Sequence, residues 1–323
     1  MLSTSRILSV LLLGLGVALL VAGLAAPRFI PADGRMPLDL AATTWTLRDD
    51  DAQTRLMTDP DGRVLEVPVT RQLHLEVQNP ANEDETTVRI GDTFLRESRQ
   101  EELDRLISAQ VWSYRLDRLD GSATSPARLT GQIGSPGVQV DVEGVWLKFP
   151  TDARQTTYEV FDPRLRQARP AVFAETLELA GRDVHRYRQE IEPTNLAQLY
   201  ADWRNTTVFA EEDGGTSPGY LFYSVTRDLF VDQRTGMVVE VREDIEEFYG
   251  DAEGQSREQV LSFEGWMAQA QIDTLLEQAS GINDGETARL LRWIALGGGA
   301  VLAVAGLAGS LGAFSGRRTR HSG

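Results

Sequence analysis

Two uncharged apolar stretches, Ile7 to Ala26 and Trp293 to Gly316, constrain this chain more than any other feature of it. They run for 20 and 24 residues. At about 1.5 Å of rise per residue, either one crosses the roughly 30 Å hydrocarbon layer of a bilayer as a helix. Arg6 precedes the first stretch and Arg317, Arg318 and Arg320 follow the second, and Lys and Arg are retained on the cytoplasmic side. The expected protein is two-pass in the plasma membrane, with both termini cytoplasmic and the main domain outside. A cleaved signal peptide is the competing reading of the first stretch, because Gly23, Ala25 and Ala26 suit a signal-peptidase site. The run exceeds the usual length of roughly 7 to 15 residues, so retention is expected.

The chain divides accordingly: a first transmembrane helix with a short cytoplasmic end (1–27), an extracytoplasmic domain (28–282), a juxtamembrane segment with the second helix (283–316) and a basic cytoplasmic tail (317–323). All 48 acidic residues and 28 of the 32 basic ones lie between the apolar stretches, a net charge of −20. Such a surface excludes nucleic acid as a natural partner, since phosphate backbones need positive charge. Lys148 is the only lysine, and there is no cysteine. Disulfides, thiolate metal sites and cysteine nucleophiles are thereby ruled out.

Between the apolar stretches the sequence alternates apolar and polar residues as half-buried strands do. Thr43 to Leu47, Val64 to Val67 and Val69 to Val77 open the pattern, with a turn at Asp59, Pro60, Asp61 and Gly62. In the third run Val69, Arg71, Leu73, Leu75 and Val77 share one face. Further strands are expected at Thr86–Ile90, Ala109–Leu116, Val138–Phe149, Thr156–Phe161, Thr176–Leu179, Asp183–Ile191, Tyr220–Val231, Met237–Tyr249 and Gln255–Phe263. The fold class is mainly β, an antiparallel barrel or sandwich with a few helices, flanked by two transmembrane helices. Glu97–Ile107 reads as a helix or a loop, and helices are expected at Thr194–Trp203 with Thr194 as N-cap and at Glu264–Ser280, where Trp266, Ala270, Leu275, Leu276 and Ala279 approach helical spacing. Tyr114–Gly121 and Leu229–Gly236 echo each other as a strand followed by Asp and, four residues later, Gly, which is turn chemistry.

Signals for catalysis are sparse. His74 and His185 are isolated within strands and His321 lies in the tail, without a metal-binding pair, a phosphate-cradling loop or a nucleophile elbow. Asp49–Asp51 and Glu211–Asp213 lack the ligand spacing of a calcium loop and read as solvated charge. A glycosidase-like carboxylate pair would meet only in the fold. Asn205, Thr206 and Thr207 form a glycosylation sequon. No catalytic, cofactor-binding or metal-binding residue is assigned, no cofactor is expected, and the ligand-binding residues are left open. In the apolar stretches Gly14, Ala18, Ala22 and Ala26, and Ala305, Gly309 and Ala313, form small-residue rows at spacing four that suit close helix packing.

Pro37 to Leu40 with Thr43 and Thr44, Thr157 to Pro163, Val184 to Tyr187, and Phe230 to Gly236 carry a resemblance over nearly the whole chain. On these residues the chain resembles the actinobacterial two-transmembrane porin PorA family. The resemblance implies a cell-envelope protein concerned with envelope lipids or lipoglycans. The layout is also similar to class B scavenger receptors, by analogy only. The leading expectation is a non-enzymatic protein binding lipid or lipoglycan in an apolar cavity. Its lining would come from residues such as Val138, Val140, Val142, Val145, Trp146, Phe149, Leu221, Tyr223 and Val225. The alternatives are a solid β-core acting as a scaffold for envelope-biogenesis membrane proteins, a subunit of an oligomeric pore, and a carbohydrate-active enzyme.

Overall fold

The computed structural model describes residues 4–29, 33–56, 62–97, 102–131, 137–282 and 286–311. It contains two compact units, one made of the two terminal segments and the other spanning Gly34–Ile282.

The terminal unit pairs α1 (Thr4–Phe29) with a second long helix, Glu286–Ser310, numbered α4 in chain order. Ile7–Ala26 and Leu290–Ser310 are long and apolar enough to cross a membrane. The helices run antiparallel: Gly16 lies against Ala303, Gly23 against Leu296 and Gly306 against Leu13. A Cβ at Gly16 or Gly306 would collide with the partner backbone, so only glycine admits this approach. Ser9, Gly16 and Gly23 recur every seven residues, as do Gly299 and Gly306, which is the seam of a 3.5-residue repeat. In the first helix the row expected at spacing four is a different face, whereas in the second Gly309 of the expected row is buried with Gly306. Gly14 has nothing near it, Ala18 and Ala22 are exposed, and Ala313 lies outside the described residues.

The β-domain is one antiparallel sheet of fifteen strands. Its first half contains β1 (Thr43–Asp49), β2 (Gln53–Arg55), β3 (Val64–Glu66), β4 (Val69–Ala81), β5 (Glu85–Arg96), β6 (Leu106–Asp117), β7 (Ala127–Thr130) and β8 (Val138–Val140). The second contains β9 (Tyr158–Asp162), β10 (Gln167–Leu179), β11 (Arg182–Asn195), β12 (Thr206–Ala210), β13 (Thr216–Asp232), β14 (Val238–Gly250) and β15 (Ser256–Met267). The main path runs β8-β7-β6-β5-β4-β1-β15-β14-β13-β11-β10-β9, with β2, β3 and β12 attached beside it. Bulges such as those at Phe173/Glu175 and Glu247/Phe248 bend long strands that would otherwise stay flat. The two wings face each other across one core. Trp112 of β6 meets Phe161 of β9 edge-on at 5.5 Å, and Phe94 of β5 meets Phe263 of β15 at 5.5 Å.

The echoed turns converge on one segment. Gly121 and Gly236 adopt positive φ of 76° and 68°, and each donates its N–H back to an aspartate carbonyl, Asp117 at 3.0 Å and Asp232 at 2.8 Å. A Cβ at Gly121 would strike the carbonyl of Lys148, and one at Gly236 that of Phe149. Between the turns sits the only lysine, fully buried, its ammonium donating to the carbonyls of Leu119 at 3.1 Å and Phe149 at 2.6 Å. The expected strand Val138–Phe149 is therefore strand only to Val140. Its remainder is irregular, held by this clamp and by bridges at Val145 and Lys148.

The three helical candidates are shorter than the charge and spacing patterns imply. Among the described residues of Glu97–Ile107 the helix is Glu102–Arg105 (α2), and Leu106 and Ile107 already belong to β6. Thr194–Trp203 is the end of β11 followed by tight 3-10 turns, Leu196–Gln198 and Trp203–Asn205. Asn195 and Asp202, rather than Thr194, cap them by accepting from the N–H groups of Ala197 and Arg204. These local side-chain bonds outcompete a continuous helix. The third, α3, spans Gln269–Gly281 and buries Ile272, Leu275, Leu276 and Ala279. Glu264–Met267 stay in β15 because they pair with β14 and β1, which leaves Trp266 52% exposed. The turn expected at Asp59–Gly62 falls mostly outside the described residues, though Gly62 has the positive φ of 61° such a turn needs.

Candidate functional site: a buried ion chain beside an arginine-lined cavity

Alternation decides which side chains enter the interior. On β4 the apolar row Val69, Leu73 and Leu75 carries Arg71 inward, where it is 3% exposed. The same parity carries Arg227 inward from β13, between Val225 and Leu229, and Glu243 inward from β14, between Val241 and Ile245. Asp162 ends β9 fully buried.

These charges form an alternating chain. Arg71 donates to Asp92 twice, at 3.1 and 2.8 Å, and to Glu243. Glu243 accepts from Arg227 with its other oxygen. Arg227 continues to Asp162 at 3.0 Å and to Gln189 at 2.6 Å. Tyr223 donates its hydroxyl to the same Asp162 oxygen at 2.9 Å, while the other oxygen accepts the N–H groups of Arg164 and Leu165. A second pair stands alongside, Arg164 donating to both oxygens of Glu247 at 2.6 and 3.0 Å. Buried charges persist only when paired and hydrogen-bonded, a condition met by every member of this chain.

The environment fixes the charge states. Burial works against ionised Glu243, but Arg71 and Arg227 outweigh it and hold its carboxyl below its ordinary value. Burial likewise opposes the Arg71 guanidinium, yet Asp92 and Glu243 hold it well above its ordinary value. Burial pushes the Tyr223 phenol well up, with Asp162 adding to it. The arrangement anchors charges in place and gives Glu243 no proton to transfer near neutrality.

Next to the chain lies a cavity of about 120 Å³. Its polar wall includes Arg55, Arg71, Arg96, Arg164 and Arg204, and its apolar wall includes Phe94, Leu221, Ile245 and Leu261. It sits at the strand ends opposite to those where residues 34–36 pack, beside Arg234 and Arg118. Of the lining residues expected for an acyl cavity, Leu221 and Tyr223 border this space. Val145, Trp146, Phe149 and Val225 belong instead to the packed core, Val140 and Val142 are partly buried against it, and Val138 is 47% exposed. Arginine chemistry and small volume make this a poor acyl site, since pockets for drug-sized ligands run to roughly 300–1,000 Å³.

The remaining sequence candidates are dispersed. His74 is half-exposed and shares its Nδ1 with the Thr44 hydroxyl at 2.7 Å. His185 is buried against Phe173 and Tyr187, and burial lowers its imidazole below the ordinary value. Among the described residues no group of three or more His, Cys, Asp or Glu could hold a metal ion. Asp49 accepts the N–H groups of Asp51 and Glu264, Asp50 pairs with Arg48, and Glu211 pairs with Arg257, so both acidic runs serve turns and ion pairs. Asn205 of the sequon is 1% exposed and donates its amide to the carbonyls of Leu196 and Tyr200, which leaves it inaccessible to glycosylation. No sequence motif marks the ion chain, although it leaves a signal: Arg71, Arg227 and Glu243 are charges at apolar-parity positions of long strands.

A family model described as Porin PorA matches residues 8–308. A protein named Porin PorA from Corynebacterium resistens is 24% identical, over 76% of this chain and 77% of its own. Another of that name, from Corynebacterium amycolatum, is 26% identical over 59% of this chain and 58% of its own.

Proposed function

The chain belongs to the Porin PorA family, and from that premise we propose that it is a non-enzymatic, two-pass protein of the cell envelope whose extracytoplasmic β-domain is a rigid scaffold for membrane-protein partners. The observation that carries this reading is the filled interior. Rings and ion pairs pack much of the space between the wings, and the cavity beside the ion chain, at about 120 Å³, is too small for a large ligand, which favours recognition on the domain's outside. Enclosure of an acyl chain, the first expectation from sequence, has less support for the same reason.

The relatives' name favours the pore reading, which requires several copies. A membrane barrel needs a closed set of strands with an outward apolar band. Here the outward positions of β14 carry Arg242, Asp244 and Glu246. The glycine seam between α1 and α4 brings the two backbones into contact and leaves no lumen between them. Gly14, Gly297 and Gly298 are open on the helix faces, which is where further helices would pack in an oligomer.

A photo-crosslinking residue in place of exposed Val172 or Trp203 in cells should capture discrete envelope proteins. Capture of lipid alone would restore the lipid-handling reading, and single-channel conductance of the purified protein in a planar bilayer would establish the pore. In this cysteine-free chain, Ala252→Cys should react with an impermeant thiol reagent in intact cells and Ser322→Cys should not. The reverse labelling would invert the topology.

A further inference from the structure

The strand β12 is open along one side. It pairs with the start of β13, from Thr206 opposite Tyr220 to Ala210 opposite Thr216, and among the described residues no strand lies on its other edge. On the far side of β13, β14 reaches only to Gly250, opposite Tyr220, so Thr216 to Gly219 have β12 as their one strand partner among the described residues. The hydrogen-bond phase of this hairpin follows from its turn, where the Glu211 N–H donates to the Gly215 carbonyl at 2.9 Å. Hydrogen-bonded pairs alternate along an antiparallel ladder, so Thr207 and Phe209 also direct their backbone groups to β13. Thr206, Val208 and Ala210 then turn their N–H and C=O groups outward. Pro218, opposite Val208, agrees with this phase, since it has no N–H to give.

The side chains at the outward positions are exposed and uncharged. Thr206, Val208 and Ala210 share a face with Tyr220, Pro218 and Thr216, and Val208 is 67% exposed. The opposite face is closed, with Phe209 3% exposed beneath the Arg257 guanidinium, which pairs with Glu211. At the Thr206 end a surface hollow is bordered by Tyr200, Trp203 and Thr206. At the other end Glu212 and Asp213 are exposed and have no ion-pair partner among the described residues. A free edge flanked by apolar side chains is a template for another strand.

We propose that β12 is the docking edge for an extended segment of a partner protein, uncharged where it faces Thr206 to Ala210 and basic at its N-terminal end. The inference rests on the scaffold reading and names the partner's chemistry. Antiparallel addition, the arrangement of β12 on β13, sets the polarity: the N-terminal end of the segment lies by Glu212 and Asp213, where Lys or Arg is complementary. A second copy of this chain is a poorer occupant. Two-fold pairing of β12 with itself turns one molecule end over end. Gly34, where the chain enters the β-domain from the first apolar helix, packs beside Arg234, just past the other end of β13, so the anchored ends of two such copies would point in opposite directions.

The full chain in neutral detergent is titrated with the fluorescein-labelled peptide Lys-Lys-Val-Thr-Val-Thr-Val at low salt, and binding is read by anisotropy. Saturable binding is expected, with amide exchange slowed at Thr206, Val208 and Ala210 and unchanged at Thr207 and Phe209. Val208→Pro removes an outward N–H that the hairpin does not use and should weaken binding roughly tenfold or more. Val208→Thr, which keeps the N–H, should bind much as the parent does. Moving the two lysines to the other end of the peptide should weaken binding, as should Glu212→Lys. The proposal is overturned by absence of saturable binding, by equal binding to Val208→Pro in a sample whose melting temperature matches the parent, or by equal binding of the two peptides. Where Val208→Pro melts below the parent, the two peptides and Glu212→Lys decide. A Val208→Cys chain that links to its own copy through a disulfide would make a second copy the occupant and overturn the proposal as well. Absence of peptide binding while a crosslinker at Val172 still captures envelope proteins in cells removes this inference and leaves the scaffold reading standing.

Discussion

The interior of the β-domain is filled in two ways, and the border between them is a single peptide bond. Phe161 and Asp162 are adjacent and both fully buried. Phe161 joins a ring cluster with Trp112 and Trp146 at centroid distances of 5.5 and 5.7 Å, while Asp162 joins the ion chain through Arg227 and Tyr223. Rings pack without strict direction, so Phe149, Tyr158 and Tyr187 extend the first half, the outer pair stacking on each other at 5.1 Å. Ion pairs demand fixed geometry and cannot relax to fill gaps. The cavity accordingly lies on the charged side. The two halves should therefore differ in what a small chemical change does to them.

The largest effect is expected at the centre of the ion chain. Glu243→Gln keeps the shape but removes the charge that joins Arg71 to Arg227, leaving two buried guanidiniums facing each other across an amide. Breaking a buried pair from one side costs about 3–5 kcal/mol. Chemical denaturation should show that loss, and a change below about 1 kcal/mol would mean that water already screens the chain.

Acid sharpens the contrast next, because the ion chain is built on carboxylates, whereas the rings of Trp112, Trp146 and Phe161 carry no group that titrates in acid. The carboxyl of Glu243 is held below its ordinary value in the folded protein. Stability from such a group is complete above about pH 4.3, the unfolded value, and is lost as pH falls through the lower folded value. The melting temperature of the parent should drop more steeply between about pH 5 and pH 3 than that of Glu243→Gln. Parallel curves would assign the acid sensitivity to other carboxylates.

The ring half should respond less to a comparable swap. Phe161→Leu removes a few carbons from a cluster able to repack, and volume-near apolar exchanges cost under about 1.5 kcal/mol. A loss as large as that at Glu243 would show the ring cluster to be equally unforgiving and would break the comparison.

How much of this was legible in sequence follows from what local pattern encodes. Alternation placed β4, β13 and β14 and put Arg71 on the buried face of its strand, because period two is a local property. The Asp-to-Gly turns were legible as turns for the same reason. Their convergence on Lys148 and Phe149 was not, since it depends on two segments more than a hundred residues apart meeting a third. The seam of α1 and α4 is not visible at spacing four, because antiparallel helices with a 3.5-residue repeat meet at spacing seven. The partner of each interior charge was likewise hidden: Arg71 and Glu243 are 172 residues apart, and only the folding of one wing over the other brings them together.

The smallest effect on stability is expected at Arg204, and that smallness is informative. Its charge has no carboxylate partner among the described residues, and the fold's hydrogen bonds to it use its backbone N–H and carbonyl, both of which Arg204→Ala retains. The side chain is half-buried beside Trp203, itself 62% exposed, so truncation removes little packing. Substitutions clear of core and network stay within about 0.5 kcal/mol. The expected change is therefore close to zero. An arginine that supported the fold would instead destabilise on truncation by about 1 kcal/mol or more, as loss of a charged hydrogen bond does. Denaturation of Arg204→Ala beside the parent separates these outcomes. A near-zero result would place Arg204 outside the ion chain that holds the two wings together.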